Sequence, residues 1–268
     1  MEDHQSNLWV ATGDRGVVRI SGEKAAVYER SDGLTDSRAL AVFEDREGSI
    51  WVGTAGGLDR FRDTKFTTLT MEEGLPSNPI SAVMESRNGT MWAFCRGGGL
   101  ARIRDGKVSY LAKKDGLNNL YATALLEGKN GSLWLGTGDG VTHYKDGKFR
   151  VETAGGRLAR SFISALAEDD GGLIVATDDT MAFRLNGAAL TPMTFAGQTT
   201  PLSKPGNYTF TIYRDPEGTL CFGTVLGLFR FGKREAPARA QQRSVHFPVT
   251  LIFGDGEGDL WLEEEFPG

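Results

Sequence analysis

"DREGSIWVGTAGGLDRF", residues 45–61, decides the fold, because the chain says nearly the same thing at "SRNGTMWAFCRGGGLARI" (86–103) and "GKNGSLWLGTGDGVTHY" (128–144). With Trp51 as the marker, the equivalent positions are Trp9, Trp51, Trp92, Trp134, Ile174, Cys221 and Trp261, spaced by 42, 41, 42, 40, 47 and 40 residues. A period of about 40–45 residues is that of propeller blades, with solenoids as competitors. Each unit contains short apolar or alternating runs bounded by Gly, Asn or Asp, and no window carries a 3.6-residue stripe, so helical solenoids are excluded.

One unit can be parsed strand by strand. "ISAVMES" (80–86) is a first strand, Asn88-Gly89 a two-residue hairpin signal, "TMWAFC" (90–95) a second strand, and glycines 97–99 the next turn. "LARIR" (100–104) is a third strand, Asp105-Gly106 the next hairpin and "KVSYL" (107–111) a fourth. The sequence therefore predicts an all-β chain, a β-propeller of four-stranded antiparallel blades. Such blades cannot bury both faces alone and stack, which explains why the second strands are apolar nearly throughout.

The chain enters a blade at its second strand ("EDHQSNLWV", matching "EDREGSIWV") and ends after a first and second strand in "VTLIFGDGEGDLWLEEEFPG". This predicts seven blade positions with partial blades at both termini and five complete or nearly complete blades. Residues 1–268 form a single propeller domain or a piece of a longer repeat array.

Composition narrows the function. A net charge of −5 and a pI near 5.4 leave no basic face, which argues against nucleic acid as a partner. No apolar run reaches the length of a membrane span, and "MEDHQSNLWV" is not a signal peptide. Cys95 and Cys221 lie in strand-like runs without metal-ligand spacing and are expected to be buried free thiols.

Units such as "GLTDSRALAVFEDREGSIWVGTAGGLDRF" and "GLPSNPISAVMESRNGTMWAFCRGGGLARI" resemble the two-component-regulator propeller repeat: a GL turn, a strand ending in acids, a D/N-G turn, "LWVGT" and "GGL". The resemblance covers essentially the whole chain and is weaker around Ile174 and Cys221. It implies the extracytoplasmic or periplasmic ligand-sensing propeller of a bacterial signal-transduction receptor, a hybrid histidine kinase or a diguanylate cyclase, often sensing carbohydrate. The parent receptor would carry the membrane span and the output domain. A homodimer is compatible with this reading.

A residue type that fills one slot in several repeats is more often structural than catalytic. Arg19, Arg60, Arg102 and Arg230 share a third-strand slot with His143, so His143 is expected to be a strand-face residue. Asp3, Asp45, Asp169, Asp215 and Asp255 end first strands and are expected to bond local backbone amides. The tail from Asp255 fails as an EF-hand, with Leu260 and Phe266 at the places for Gly and Glu, so no metal is expected, nor any cofactor. His4, His143 and His246 lie in different repeats with no nucleophile or zinc spacing, which argues against an enzyme. A streptogramin-lyase-like propeller is the enzymatic alternative.

Binding should lie where repeats differ. The loops before the first strands and between second and third strands open on one face. They carry Arg38, Asn78, Arg96, Tyr121, Arg160 and Tyr208, the expected ligand-binding set, with Arg15, Asp139, Phe162, Asp179 and His246 nearby. Tyrosine faces cover apolar sugar surface and guanidinium forks fix hydroxyls or an anion, so the expected ligand is an oligosaccharide or other small molecule. The long connection 192–208 is expected to form a lip. The basic connection 232–244, with a weak or shifted fourth strand, makes a protein-interaction scaffold the other alternative.

Overall fold

Where the sequence alternates apolar and polar residues between glycine turns, the chain forms antiparallel strands. The structure is a computed structural model. It describes all residues except 63–64, 157, 160, 179–181, 188, 194–207, 216–217, 226, 232–240, 243–247, 255–259 and 265–268.

Among the described residues, six sheets of three or four strands succeed one another along the chain. Blade 1 has three strands, Leu8–Ala11, Val17–Ser21 and Lys24–Tyr28. Blade 2 is Ala39–Glu44, Ile50–Thr54, Leu58–Arg62 and Lys65–Leu69; blade 3 is Ile80–Glu85, Met91–Cys95, Gly99–Arg104 and Lys107–Leu111. Blade 4 is Ala122–Glu127, Leu133–Thr137, Gly140–Lys145 and Lys148–Glu152; blade 5 is Ile163–Asp169, Gly172–Thr177, Ala182–Asn186 and Ala189–Pro192. Blade 6 is Thr209–Arg214, Leu220–Thr224, Gly227–Phe231 and Gln241–Gln242, the last strand only two residues long as its Pro-containing connection implies. The count of seven blade positions is corrected to six blades. Blade 6 is succeeded by a two-stranded pair, Val249–Gly254 with Leu260–Glu264, and two strands do not make a blade.

Two compact units divide the chain: Met1–Glu127 with Tyr144–Arg150, and Gly128–His143 with Val151–Gly268. In the first, one core packs Trp51 and Leu58 of blade 2 with Ile80, Met91, Ala101 and Ile103 of blade 3. A second core packs Trp9 and Val17 with Ile50, Val52 and Phe61, capped by Tyr28, stacked on Trp9, and by Phe66, edge-on to Tyr28. In the second unit, Ile174 and Ala182 pack with Phe222 and Phe229, while Cys221 and Leu228 pack with Val249 and Ile252. Apolar side chains thus fill the space between successive sheets, as stacking requires.

The repeated words each do a structural job. In "GT…GGL", Thr54 is fully buried; its hydroxyl donates to the Gly57 carbonyl (3.0 Å) and accepts the Gly57 N–H (3.1 Å). Thr137 and Thr224 donate likewise to Gly140 and Gly227. Cys95 takes this slot in blade 3; burial pushes its thiol up to about 12, so it stays a neutral hydrophobe. The Asp–Trp spacing is also a bond: the Trp51 indole donates to Asp45 at 2.7 Å and the Trp9 indole to Asp3 at 2.7 Å, while the other oxygen of each Asp takes backbone N–H groups of its turn. The third-strand slot covers the indole. Arg60 lies over Trp51 (5.3 Å), Arg19 over Trp9 (5.7 Å), and His143 stacks on Trp134 at 4.0 Å, as expected for a strand-face residue. Where Ile174 and Cys221 replace tryptophan, Arg184 and Arg230 pair directly with Asp169 and Asp215.

Of the two hairpins that the sequence marks in blade 3, only one obeys the two-residue rule. Asp105 and Gly106 both have positive φ, 50° and 71°, and Arg104 faces Lys107, so this is the tight turn that Asp-Gly predicts. Asn88-Gly89 differs: the Gly89 N–H bonds back to the Ser86 carbonyl and the Ser86 N–H to Thr90, so the loop holds an extra residue with only Gly89 left-handed (φ 78°). The extra residue lets the Ser86 or Asp45 side chain reach the marker tryptophan.

A second repeated contact runs between neighbouring blades. The His4 N–H donates to Glu44 (2.9 Å), Arg46 N–H to Glu85 (2.9 Å), Arg87 N–H to Glu127 (2.8 Å) and Lys129 N–H to Glu168 (2.7 Å). Each glutamate is the last or, for Glu168, the next-to-last residue of a first strand and receives a turn amide from the preceding blade. The His4 ring also meets Glu44, and that hydrogen bond raises the imidazole pKa above its ordinary value. Glu85 is nearly buried, so Glu85→Ala is expected to cost about 2 kcal/mol, the value of a hydrogen bond to a charged acceptor; urea denaturation showing a loss below about 0.5 would contradict the clip.

Candidate functional site

In blades 2, 3, 5 and 6 the residue before the first strand lies beside the residue after the second. Ala55 donates its N–H to the Arg38 carbonyl (3.1 Å), Arg96 to Pro79 (2.7 Å), Asp178 to Phe162 (3.0 Å) and Val225 to Tyr208 (3.0 Å). The two loop classes expected to share one end of a blade therefore do so, in blades 2, 3, 5 and 6.

In the first unit, blade-to-blade contacts bring some expected residues together. The Gly97 N–H donates to the Leu120 carbonyl (2.8 Å), which sets Arg96 of blade 3 next to Tyr121 at the entry of blade 4. Arg38 has blade 1 as its neighbour: Gly16 donates to Ser37 (2.6 Å) and Ala39 to Thr12 (3.0 Å). Arg38, Arg96 and Tyr121 are exposed, Tyr121 at 64%, and among the described residues their side chains make no hydrogen bond or ion pair. Asn78 is used otherwise. Its Oδ1 accepts the Met71 N–H at 2.8 Å and so closes the loop around Leu75.

The loop carrying Arg38 is held from below. Asp59, fully buried in the third strand of blade 2, accepts the Thr35 hydroxyl (2.5 Å), the Thr68 hydroxyl (2.8 Å) and the Thr35 N–H (3.2 Å). Burial pushes the Asp59 carboxyl above its ordinary 3.8, against the three hydrogen bonds and with a small contribution from Asp36. A carboxyl that holds its proton more tightly when folded adds stability as pH falls through the folded value toward 3.8. Asp59→Asn is therefore expected to flatten that rise in a pH series of melting temperatures; an unchanged series would contradict the assignment.

In the second unit, Phe162 and Tyr208 fill the slot that Arg38 and Tyr121 fill elsewhere, and they are 42% and 44% exposed. An exposed aromatic at one slot in blades 4, 5 and 6 is visible in the sequence only once the strands are aligned. Arg160, Asp179 and His246, and most of the connections 192–208 and 232–244, lie outside the described residues.

Two cavities of the first unit lie at the opposite end of the blades, by the hairpins. One, of about 420 Å³, opens between blades 2 and 3 over Trp51, Leu69, Met91 and Ile103. The other, of about 340 Å³, lies on blade 3 around Trp92 and Arg102. Among the described residues no group of three His, Cys, Asp or Glu side chains could hold a metal, and no helix is long and apolar enough to cross a membrane.

Residues 33–56 and 116–139 match the family described as two component regulator propeller, each match starting at the glycine of the GL turn and ending past the second strand. No curated protein matches the sequence. Among solved structures, the extracellular domain of BT4673 from B. thetaiotaomicron, assigned as a one component system, superposes with a TM-score of 0.80 at 17% identity, over 98% of this chain and 39% of that one. That of BT3049 from the same organism, assigned as a hybrid two component system, gives 0.78 at 19% over 98% and 38%. Virginiamycin B lyase from Staphylococcus aureus, an inactive H270A form with quinupristin, gives 0.76 at 15% over 99% and 90%. At these identities the likeness shows the fold, a β-propeller. The chain spans about two-fifths of the length of the two B. thetaiotaomicron domains.

Proposed function

The chain carries two-component regulator propeller repeats, and from that premise we propose that it is the ligand-sensing propeller of a bacterial signal-transduction receptor, working outside the cytoplasm and without catalysis. The observation that carries the reading is the contrast within each repeat. Trp, Asp, Glu and Thr side chains are consumed by bonds that recur from blade to blade, while Arg38, Arg96 and Tyr121 stand exposed and, among the described residues, unpaired at one blade end.

An oligosaccharide suits that surface. A tyrosine face covers the apolar side of a sugar ring, and an adjacent guanidinium donates to hydroxyls or a carboxylate. Phe162 and Tyr208 offer the same chemistry at the same slot of blades 5 and 6. The B. thetaiotaomicron domains are extracellular parts of proteins named as one component and hybrid two component systems, which fits a parent receptor that would carry the membrane span and an output domain, kinase or cyclase. The lyase superposes over nearly its whole length, so the enzymatic alternative has a definite template. It is disfavoured because His4 and His143 are taken up by Glu44 and Trp134.

The experiment is a thermal-shift screen of mono- and oligosaccharides and uronates against the wild type. A binder present at about 100 times its Kd is expected to stabilise the fold by about 2.7 kcal/mol. Arg96→Ala and Tyr121→Ala should lose that shift while melting like the wild type without ligand. A shift unaltered in both variants would overturn the site.

A further inference from the structure

Comparing blades 2 and 3 position by position uncovers a site at the hairpin end. In blade 2, Arg60 and Arg62 project from one face of the third strand and converge on Glu47, whose carboxylate lies 3.1 Å from Arg60 Nη2 and 2.8 Å from Arg62 Nη1. Asp45 adds a second carboxylate 3.5 Å from Arg60, and Ser49 Oγ accepts from Arg60 at 2.8 Å. Blade 3 keeps both arginines, as Arg102 and Arg104, and loses both acids: Ser86 stands where Asp45 does and Asn88 where Glu47 does. Arg19, Arg60, Arg184 and Arg230 each belong to a blade whose turn begins with Asp, so Arg102 is the exception among the arginines of this slot.

The structure shows what the loss leaves behind. Arg102 keeps one neutral contact, Nε to Ser109 Oγ at 3.2 Å, and Arg104 has only the exposed Asp105 at 3.9 Å from its Nε. Lys107, opposite Arg104 across the strands, makes no ion pair among the described residues. These three cations line the cavity of about 340 Å³ together with Asn88, Thr90 and Ser109, and with one carboxylate, the exposed Asp105, against them. Asn88 Oδ1 is taken by the Thr90 N–H, so its amide N–H groups are the part of the side chain left to donate. Three cations against one carboxylate leave this recess net positive, with guanidinium and ammonium donors to spare for an anion.

We propose that blade 3 binds an oxyanion between Arg102 and Arg104, in the place that the Glu47 carboxylate occupies in blade 2. The blade 2 carboxylate is the intramolecular image of the ligand: one group accepting from two guanidinium forks. Lys107, the Asn88 amide and the Thr90 hydroxyl supply the further donors. The site lies at the opposite end of blade 3 from Arg96 and stands independently of the sensor reading above.

The test uses the indole N–H resonances of Trp92, which lines the cavity, and of Trp9, its blade 1 counterpart, which lines neither cavity, as local probe and internal control. The full chain is titrated with potassium sulfate and, separately, potassium acetate, each against potassium chloride at constant ionic strength. The expected result is a saturable shift of Trp92, with Trp9 unmoved, and a loss of affinity of about tenfold or more in Asn88→Glu, which rebuilds the internal carboxylate. Arg104→Gln should weaken binding in the same sense and serves if Asn88→Glu fails to fold. Preference for sulfate assigns a tetrahedral anion, preference for acetate a carboxylate, and either supports the site. Equal, unsaturated shifts of both tryptophans, or saturable binding untouched by both variants, would overturn it.

Discussion

Trp51→Ala is expected to destabilise the protein by about 3–5 kcal/mol, the cost of emptying a buried site built around a large aromatic. The indole is 6% exposed and packs with Met91 and Ile103 of the next blade, so its removal opens a void between two sheets rather than a dimple on one. Two further contacts go with it. The Asp45 oxygen at 2.7 Å loses its donor, and the Arg60 guanidinium loses the ring beneath it. The repeat itself supplies the control, since Ile174 and Cys221 occupy this slot in blades whose arginine pairs directly with the turn aspartate. Chemical denaturation monitored by circular dichroism measures the loss; a value below about 1 kcal/mol would show that the marker does not hold neighbouring blades together.

Gly99→Ala is the second large effect. Gly99 opens the third strand of blade 3 at φ 125°, where an L side chain is strained by about 1–3 kcal/mol. A methyl group there would also lie 2.3 Å from the Leu111 carbonyl oxygen, an overlap relieved only by pulling the third and fourth strands apart. The sum is expected to be about 3 kcal/mol or more. Gly106→Ala, in open space at φ 71°, should cost only the dihedral part, and equal losses in the two variants would contradict the close approach.

Those two residues also show what is legible in a sequence. Alternation and turn residues are local properties, so the strands of blade 3 lie within a residue or two of their parse, and the marker tryptophans pair with the third-strand arginines at every repeat that has both. The Asn88-Gly89 loop departs from the two-residue reading because a glycine in left-handed conformation serves a two-residue turn and a longer one alike; the choice is made by the Ser86 side chain reaching Trp92, which no local pattern records. The blade number is overcounted from sequence because the last strand words, "VTLIFGDGEGDLWLEEE", look like the others although they build only two strands. The glutamate clips escape notice for a different reason: donor and acceptor lie about forty residues apart, and the acid alone looks like a solvated strand end. At the candidate site, position in the blade is legible and use is not. Asn78 and Tyr121 sit in equivalent loops, yet one side chain closes its own loop and the other is exposed.

The central claim is that repeated residues build the blades while the exceptions at the loop end bind. Isothermal titration calorimetry on two variants, with the best binder from the saccharide screen, tests it most directly. Arg96→Ala should weaken binding by about tenfold or more, the loss of one charge-assisted contact, at unchanged melting temperature. Asp45→Ala, which removes a turn acid shared by the repeats, should lower the melting temperature and leave the affinity as it was. Affinity lost in Asp45→Ala and kept in Arg96→Ala would contradict the claim.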